Sequence, residues 1–278
     1  MPQDQIVALG IIAGATIFIG LPVGRLTGAG VSLRAFLSAV AVGILLFLFW
    51  DVVSAAVDGI EGALLAAVGG TGLWGDFALL AATGALGLAA SLLGLVAYER
   101  WLALRGARSA APDNGSGPGR AGIPPAATAR QLAILIAVGI GLHNFAEGLA
   151  IGQSAASGQL AFAGTLVVGF ALHNATEGFG IVAPLAGGPS RPSWAFLGAM
   201  GAIGGGPTAL GTVVGQAVVN TTLSVAFLGL AAGSILYVVI ELLGVNRAFG
   251  LKVLASAGVL VGLLLGFGTD FFLKALGG

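Results

Sequence analysis

The sequence predicts an all-α membrane protein: a bundle of eight transmembrane helices with both termini outside. Three observations predict it. Of the 278 residues 57% are hydrophobic and only 8% are charged, whereas a soluble domain carries about 25% charged residues. Eight apolar stretches are each long enough to cross a bilayer, which takes about 20 residues. Forty-nine glycines are excessive for a soluble fold, but in lipid small residues let helices approach closely.

The eight stretches are 6–24, 33–57, 77–98, 131–152, 160–186, 193–217, 221–243 and 252–274, spans 1 to 8 below. Span 1 follows Met1–Gln5, which lacks the positive charge of a secretory signal and is therefore expected to stay on the chain. Arg25 and Arg34 separate spans 1 and 2. Arg100, Arg105, Arg108, Arg120 and Arg130 flank the connection between spans 3 and 4. Arg191 lies between spans 5 and 6, and Arg247 and Lys252 between spans 7 and 8. All of these fall in alternate loops. By the positive-inside rule, ten of the eleven basic residues face the cytoplasm and only Lys274 lies outside.

The acids distribute differently. Asp4, Asp58, Glu61 and Asp76 are expected at or near the outer surface, either as an electrostatic funnel for cations or as ordinary solvated loop carboxylates. The resulting organisation is spans 1–3 in residues 1–103, a Pro- and Gly-rich disordered cytoplasmic loop over 104–128, and spans 4–8 in residues 129–278. No length is left for a folded extramembrane domain.

Composition also removes functions. Zero net charge excludes a nucleic-acid partner, which needs a basic surplus. Without cysteine there is no disulfide, thiolate zinc site or iron–sulfur cluster, and two histidines cannot build a three-histidine metal site.

Ionisable groups inside a membrane are functional candidates by default. Span 4 carries Gly141-Leu142-His143-Asn144-Phe145-Ala146-Glu147-Gly148. Thirty residues later, span 5 repeats it as Ala171-Leu172-His173-Asn174-Ala175-Thr176-Glu177-Gly178. Both histidines of the chain lie in these two copies. His and Glu four apart share a helical face, with the asparagine at its edge. If spans 4 and 5 pack as an antiparallel hairpin, two imidazoles, two carboxylates and two amide oxygens meet at the midplane. Imidazole and carboxylate together suit a divalent transition metal, and two carboxylates offset its charge in a low-dielectric interior. A single His–Glu pair could equally fix helix register; two copies at matching spacing favour the ion. Asp51 in span 2 is open between a gating carboxylate and one that reaches outer water. Glu241 in span 7 is open between a pathway role and an ion pair with Arg247. Asp270 lies near the outer end of span 8.

Paired H-N-x-x-E-G motifs on the fourth and fifth of eight spans resemble the ZIP (Zrt/Irt-like protein) metal transporters. The resemblance implies uptake of a divalent metal into the cytoplasm through the inner or plasma membrane, with Zn²⁺ first and Fe²⁺, Mn²⁺ or Cd²⁺ as alternatives. The metal would be the transported substrate, with no organic cofactor. Its ligands would be His143, Asn144, Glu147, His173, Asn174 and Glu177. The family fold groups spans 1, 4, 5 and 6 around the pathway and spans 2, 3, 7 and 8 as a scaffold, one group sliding against the other. Many relatives carry a glutamate before a proline in span 6; here Gly204-Gly205-Gly206-Pro207-Thr208 has Gly206 at the expected place, which favours one principal ion. The glycines and Pro207 would free backbone carbonyls that, with Thr208, substitute for the missing carboxylate, or they serve helix packing. Relatives also often have proline before the motif glutamate, where this chain has Ala146 and Thr176, and the usual histidine-rich stretch between spans 3 and 4 is absent. The competing class is an intramembrane zinc metallohydrolase with Glu147 or Glu177 as general base. Glycine-rich scaffold spans favour a homodimer.

Overall fold

The computed structural model describes residues 2–26, 30–109, 126–158, 160–185, 191–217 and 220–275. Among them eight helices are long and apolar enough to cross a membrane, and no strand occurs. Span 1 runs Gln3–Ala15, breaks at Thr16, and continues through Ile17–Gly20 and a 3-10 turn Leu21–Arg25 that contains Pro22. The others are Val31–Val68, Trp74–Ser109, Ala126–Ala156, Leu160–Val182 with a 3-10 turn Ala183–Leu185, Trp194–Ala217, Thr221–Phe249 and Lys252–Ala275.

Two boundaries differ from expectation for physical reasons. Span 2 extends to Val68 rather than 57, so Asp58 and Glu61 stand on exposed helix instead of in a loop. Charge ends a hydropathy window, but glutamate and alanine sustain a helix beyond it. The linker expected over 104–128 is helical at both edges, to Ser109 and from Ala126; alanines and arginines favour the helix there. Its middle, residues 110–125, lies outside the described residues.

Successive spans alternate in direction, so Arg25, Arg100, Arg130 and Arg247 gather at one end of the bundle, the basic end, and Gln3 of the first helix and Ala275 of the last lie at the other, the terminal end. At the basic end Arg25 donates to the Pro192 carbonyl and its guanidinium sits 4.7 Å from the Trp194 ring centroid. Arg130 stands 4.5 Å over Phe196 in the same way. Both contacts tie span 6 to its neighbours through cation–π attraction.

The helices pack as two blocks. Spans 1, 4, 5 and 6 pack closely on one another, and so do spans 2, 3, 7 and 8; spans 4 with 7 and 2 with 5 make the main contact between blocks. Glycine explains the difference. Inside the first block a Cβ on Gly205 would fall 2.2 Å from the Gly14 carbonyl oxygen, and one on Gly211 would fall 2.1 Å from the Phe145 oxygen. Inside the second, Gly262 meets the Val40 oxygen at 2.1 Å and Gly229 the Gly84 oxygen at 2.4 Å. Backbone thus lies on backbone within each block, where dispersion is gained at close range. Between the blocks, the atom nearest a Cβ on Gly139 or Gly180 is a side-chain one, Val238 Cγ2 or Leu242 Cδ1, and the closest backbone atom, the Ser234 oxygen, stands 3.5 Å from a Cβ on Gly139. Two tightly keyed units therefore meet along a seam of side chains.

Candidate metal site

The motif residues come together where spans 4 and 5 cross the middle of the bundle. His173 Nε2 lies 2.5 Å from Glu147 Oε1, and His143 Nε2 lies 3.0 Å from the same oxygen. Glu177 Oε1 is 3.8 Å from His143 Nε2. Ligating atoms of His143, His173 and Glu177 all fall within 4.8 Å of one another. Two imidazoles and two carboxylates therefore converge on one point, Glu147 Oε1 lying between the two ring nitrogens. His143 is 1% exposed, Glu147 4% and Glu177 1%, whereas His173 is 12% exposed.

Each motif asparagine is held by a neighbouring helix. Asn144 donates Nδ2 to the Gly204 carbonyl of span 6 at 3.0 Å and to Glu177 Oε2 at 3.3 Å. Asn174 donates Nδ2 to the Ala13 carbonyl at 3.1 Å, beside the break in span 1 where Thr16 also returns its hydroxyl to that oxygen at 2.7 Å. Both asparagines are fully buried, and both Oδ1 atoms have no hydrogen-bond partner. The same holds for His143 Nδ1, Glu147 Oε2 and Glu177 Oε1. Buried polar atoms are normally satisfied, so this concentration of free acceptors and ring nitrogens is chemically suited to a cation. Nitrogen and oxygen donors of this kind match the borderline transition metals rather than a thiolate-selective ion.

Access is one-sided. A cavity of about 680 Å³ reaches the site, lined by His143, Glu147, His173 and Thr176 at its floor and by Asp51, Asp270 and Lys274 towards the terminal end. On the basic side the bundle is filled by Ile17, Leu21, Ile140, Ile181, Val182 and Leu242, each no more than 3% exposed and all part of one apolar cluster.

The remaining sequence candidates separate. Asp51 lines the cavity. Thr208 is fully buried at the junction of spans 1, 4 and 6, its hydroxyl without a partner and its carbonyl 2.0 Å from where a Gly148 Cβ would stand. Gly206 is exposed, and a Cβ there would meet nothing within 4 Å. The span 6 residue that faces the site is Gly204; two residues on a helix turn about 200°, which carries position 206 away from it. Span 6 also stays helical through Pro207, so the expected broken backbone reduces to the Gly204 carbonyl taken by Asn144. Glu241 lies outside the cavity lining, in a separate group with Glu99 and Tyr237, whose hydroxyl donates to Glu99 Oε2 at 3.3 Å. Asp270 and Lys274 are placed near the outer end of span 8 from sequence but given no role at a site. Their only signal was an acid and a base four apart in the last turns of span 8.

No curated protein matches the chain. A family model described as ZIP zinc transporter matches residues 105–273, well over half of the chain and including both motif helices. Eight apolar helices make it a multi-pass membrane protein, and the chain belongs to the ZIP zinc transporter family.

Proposed function

We propose that the protein carries a divalent transition metal, Zn²⁺ first, from the terminal end of the bundle to the basic end, which faces the cytoplasm across the inner or plasma membrane. The observation that carries this reading is that His143, Glu147 and His173 line a cavity that reaches towards the terminal end, with Glu177 buried beside them. The ion descends the cavity and inserts between the imidazoles and Glu147, completing its shell with Glu177 and the Asn144 and Asn174 Oδ1 atoms. Both asparagine amides are already committed to backbone carbonyls, so the oxygens need no reorganisation to receive it. Neutral donors and exchangeable oxygens bind firmly enough to capture the ion and weakly enough to release it. Release requires that the apolar plug of Ile17, Ile140, Ile181 and Leu242 part, which movement of one block along the side-chain seam provides.

One principal ion is favoured. A Cβ on Gly204 would lie 2.7 Å from Ile17 Cδ1 and 3.2 Å from Ile181 Cδ1, so side chains already fill the place from which span 6 would offer a further ligand.

The test is metal flux into proteoliposomes under an imposed gradient, comparing wild type with His173→Ala and Glu177→Ala. Both variants are expected to lose Zn²⁺ uptake. Equal uptake by all three proteins sinks the site, and a wild type that moves no Zn²⁺, Fe²⁺ or Mn²⁺ sinks the transport reading. Two tightly held metal equivalents per chain contradict the single-ion reading.

A further inference from the structure

Span 1 is keyed to two different neighbours. In its first part, Gln3–Ala15, a Cβ on Gly14 would fall 2.1 Å from the Gly205 oxygen of span 6, and one on Gly10 would fall 2.2 Å from Thr212 Oγ1. In its second part, Ile17–Gly20 and Leu21–Arg25, the partner changes to span 5: a Cβ on Gly20 would fall 2.3 Å from the Ala175 oxygen, and one on Gly178 would fall 2.5 Å from the Ile17 oxygen. This second part meets span 6 through side chains, the Phe18 ring against Gly201 and Ile17 Cδ1 against Gly204. Span 4 goes with span 6, since a Cβ on Gly148 would lie 2.0 Å from the Thr208 oxygen and one on Gly141 would lie 2.4 Å from the Ile203 oxygen. The first block therefore holds two backbone-keyed sets: spans 4 and 6 with the first part of span 1, and span 5 with the second part. Span 1 passes from one set to the other at Thr16. There the helical ladder gives way to i, i+3 bonds, from Thr16 N to the Ala13 oxygen at 3.4 Å and from Ile19 N to the Thr16 oxygen at 2.9 Å. A tightened stretch within a helix marks a hinge, and a threonine that bonds back to the preceding turn, as Thr16 does to Ala13, bends it.

We propose that Thr16 is a positioning residue for transport: the joint at which span 5 and the second part of span 1 shift against spans 4 and 6 when an ion seats, so that loading the site loosens the plug. The proposal rests on the transport reading above. Both the site and the plug straddle this joint. His143 and Glu147 ride with span 6, and His173 and Glu177 with the other set. In the plug, Ile17, Leu21, Ile181 and Val182 belong to the span 5 set and pack with Ile140 of span 4 and Leu242 of span 7. Across the joint, His173 Nε2 and Glu147 Oε1 lie 2.5 Å apart. Two ligands of one tetrahedral zinc ion stand about 3.3 Å apart, so a seated ion wedges the two sets away from each other. A densely packed interior passes such a displacement on. The span 5 set gives way, because side-chain ends yield where backbone contacts do not. Arg25 is bonded to the Pro192 carbonyl and lies over Trp194, which holds the far end of span 1. The movement is therefore taken up between Thr16 and Arg25, where Ile17 and Leu21 lie.

A lock across the joint separates this from movement of the whole block as one body. Phe18→Cys makes room for Gly201→Cys, and both positions lie inside the first block. Joining the two thiols with a short bifunctional methanethiosulfonate ties the second part of span 1 to span 6 but leaves a rigid block free to slide. Zn²⁺ flux into proteoliposomes is expected to stop on bridging and to return with dithiothreitol, while each single-cysteine variant treated alike keeps its flux. Flux that persists through fully bridged protein overturns the joint and leaves transport standing. Thr16→Ala lets the α-helix run on and is expected to lower kcat about threefold to tenfold, with KM within about twofold of wild type; Thr16→Ser restores kcat. A Thr16→Ala variant with wild-type kcat, or a Thr16→Ser variant no better than it, overturns the role of Thr16. If wild type carries no metal, the transport reading fails, and pulsed EPR on the purified full chain decides the joint. Nitroxides at the exposed positions Val168→Cys of span 5 and Leu210→Cys of span 6 are expected to change separation on addition of Zn²⁺, whereas Ile134→Cys of span 4 and Leu210→Cys keep theirs. The same response in both pairs, or none in either, overturns the proposal.

Discussion

Asn174 donates its side-chain amide to the carbonyl of Ala13, 161 residues away, at 3.1 Å. The bond does two things at once. It satisfies an oxygen at the point where span 1 breaks, and it turns Asn174 Oδ1 towards the interior, where it has no hydrogen-bond partner. The proposed ligand of the site and the brace for span 1 are thus the same side chain. Asn144 repeats the arrangement on span 6 through Gly204.

Replacement of Asn174 by leucine removes the brace and one of the donors to the Ala13 carbonyl, which keeps the Thr16 hydroxyl. Losing one buried hydrogen bond while the acceptor keeps another costs about 0.5–1.5 kcal/mol. The melting temperature of Asn174→Leu in detergent is expected to fall, and added Zn²⁺ to restore less of it than in wild type. A variant as stable as wild type, with equal metal-dependent gain, contradicts both roles.

Glu147 holds the densest set of contacts at the site, both imidazole nitrogens on one oxygen. Glu147→Gln keeps the shape but takes away the charge that balances the ion. Zn²⁺ affinity is expected to drop by more than the roughly 10–100-fold that loss of an outer-shell partner costs. Titration calorimetry on the purified chain reads this directly; an affinity within a few-fold of wild type removes Glu147 from the ligand set.

The motif itself was legible from sequence because a helical site demands ligands at the helical period: His143 and Glu147, then His173 and Glu177, show their shared face without any structure. Three features were not. Which atoms of Asn144 and Asn174 are committed depends on how closely spans 1 and 6 approach, and that is decided by glycine contacts across the chain rather than by local pattern. Gly206 was placed at the site by its position before Pro207, whereas helix rotation brings Gly204 there instead. Asp270 and Lys274 belong to the cavity only because span 8 packs on span 2. Alternation of basic loops fixed the relative direction of the spans, but hydropathy ended span 2 near Asp58 when helix propensity carried it to Val68.

Glycines within and between the blocks should respond oppositely to one added methyl. At Gly205 the new Cβ would strike the Gly14 carbonyl at 2.2 Å, and backbone cannot yield without separating the helices. At Gly180 it would first meet Leu242 Cδ1 at 3.2 Å, the end of a flexible side chain. Overpacking costs about 1–3 kcal/mol, so Gly205→Ala is expected to lower the melting temperature clearly. Gly180→Ala should fold as wild type and change the flux rate instead. The reverse order of stabilities contradicts the division into two keyed blocks.

Gln153 of span 4 and Ser224 of span 7 cross the seam near the terminal end, with Gln153 Nε2 donating to Ser224 Oγ at 3.1 Å. Deeper in the same seam, Phe145 packs on Phe227 with centroids 5.1 Å apart. If ion release needs the blocks to slide, this pair must separate on every cycle. The chain has no cysteine, so Gln153→Cys with Ser224→Cys provides a clean pair of thiols. Bridging them with a short bifunctional methanethiosulfonate is expected to stop Zn²⁺ flux, and dithiothreitol to restore it. Each single-cysteine variant treated alike serves as control and should keep its flux. Undiminished flux through fully bridged protein means the blocks do not move past each other at this point, and release must then open the plug at Ile17 and Leu242 by local rearrangement of side chains.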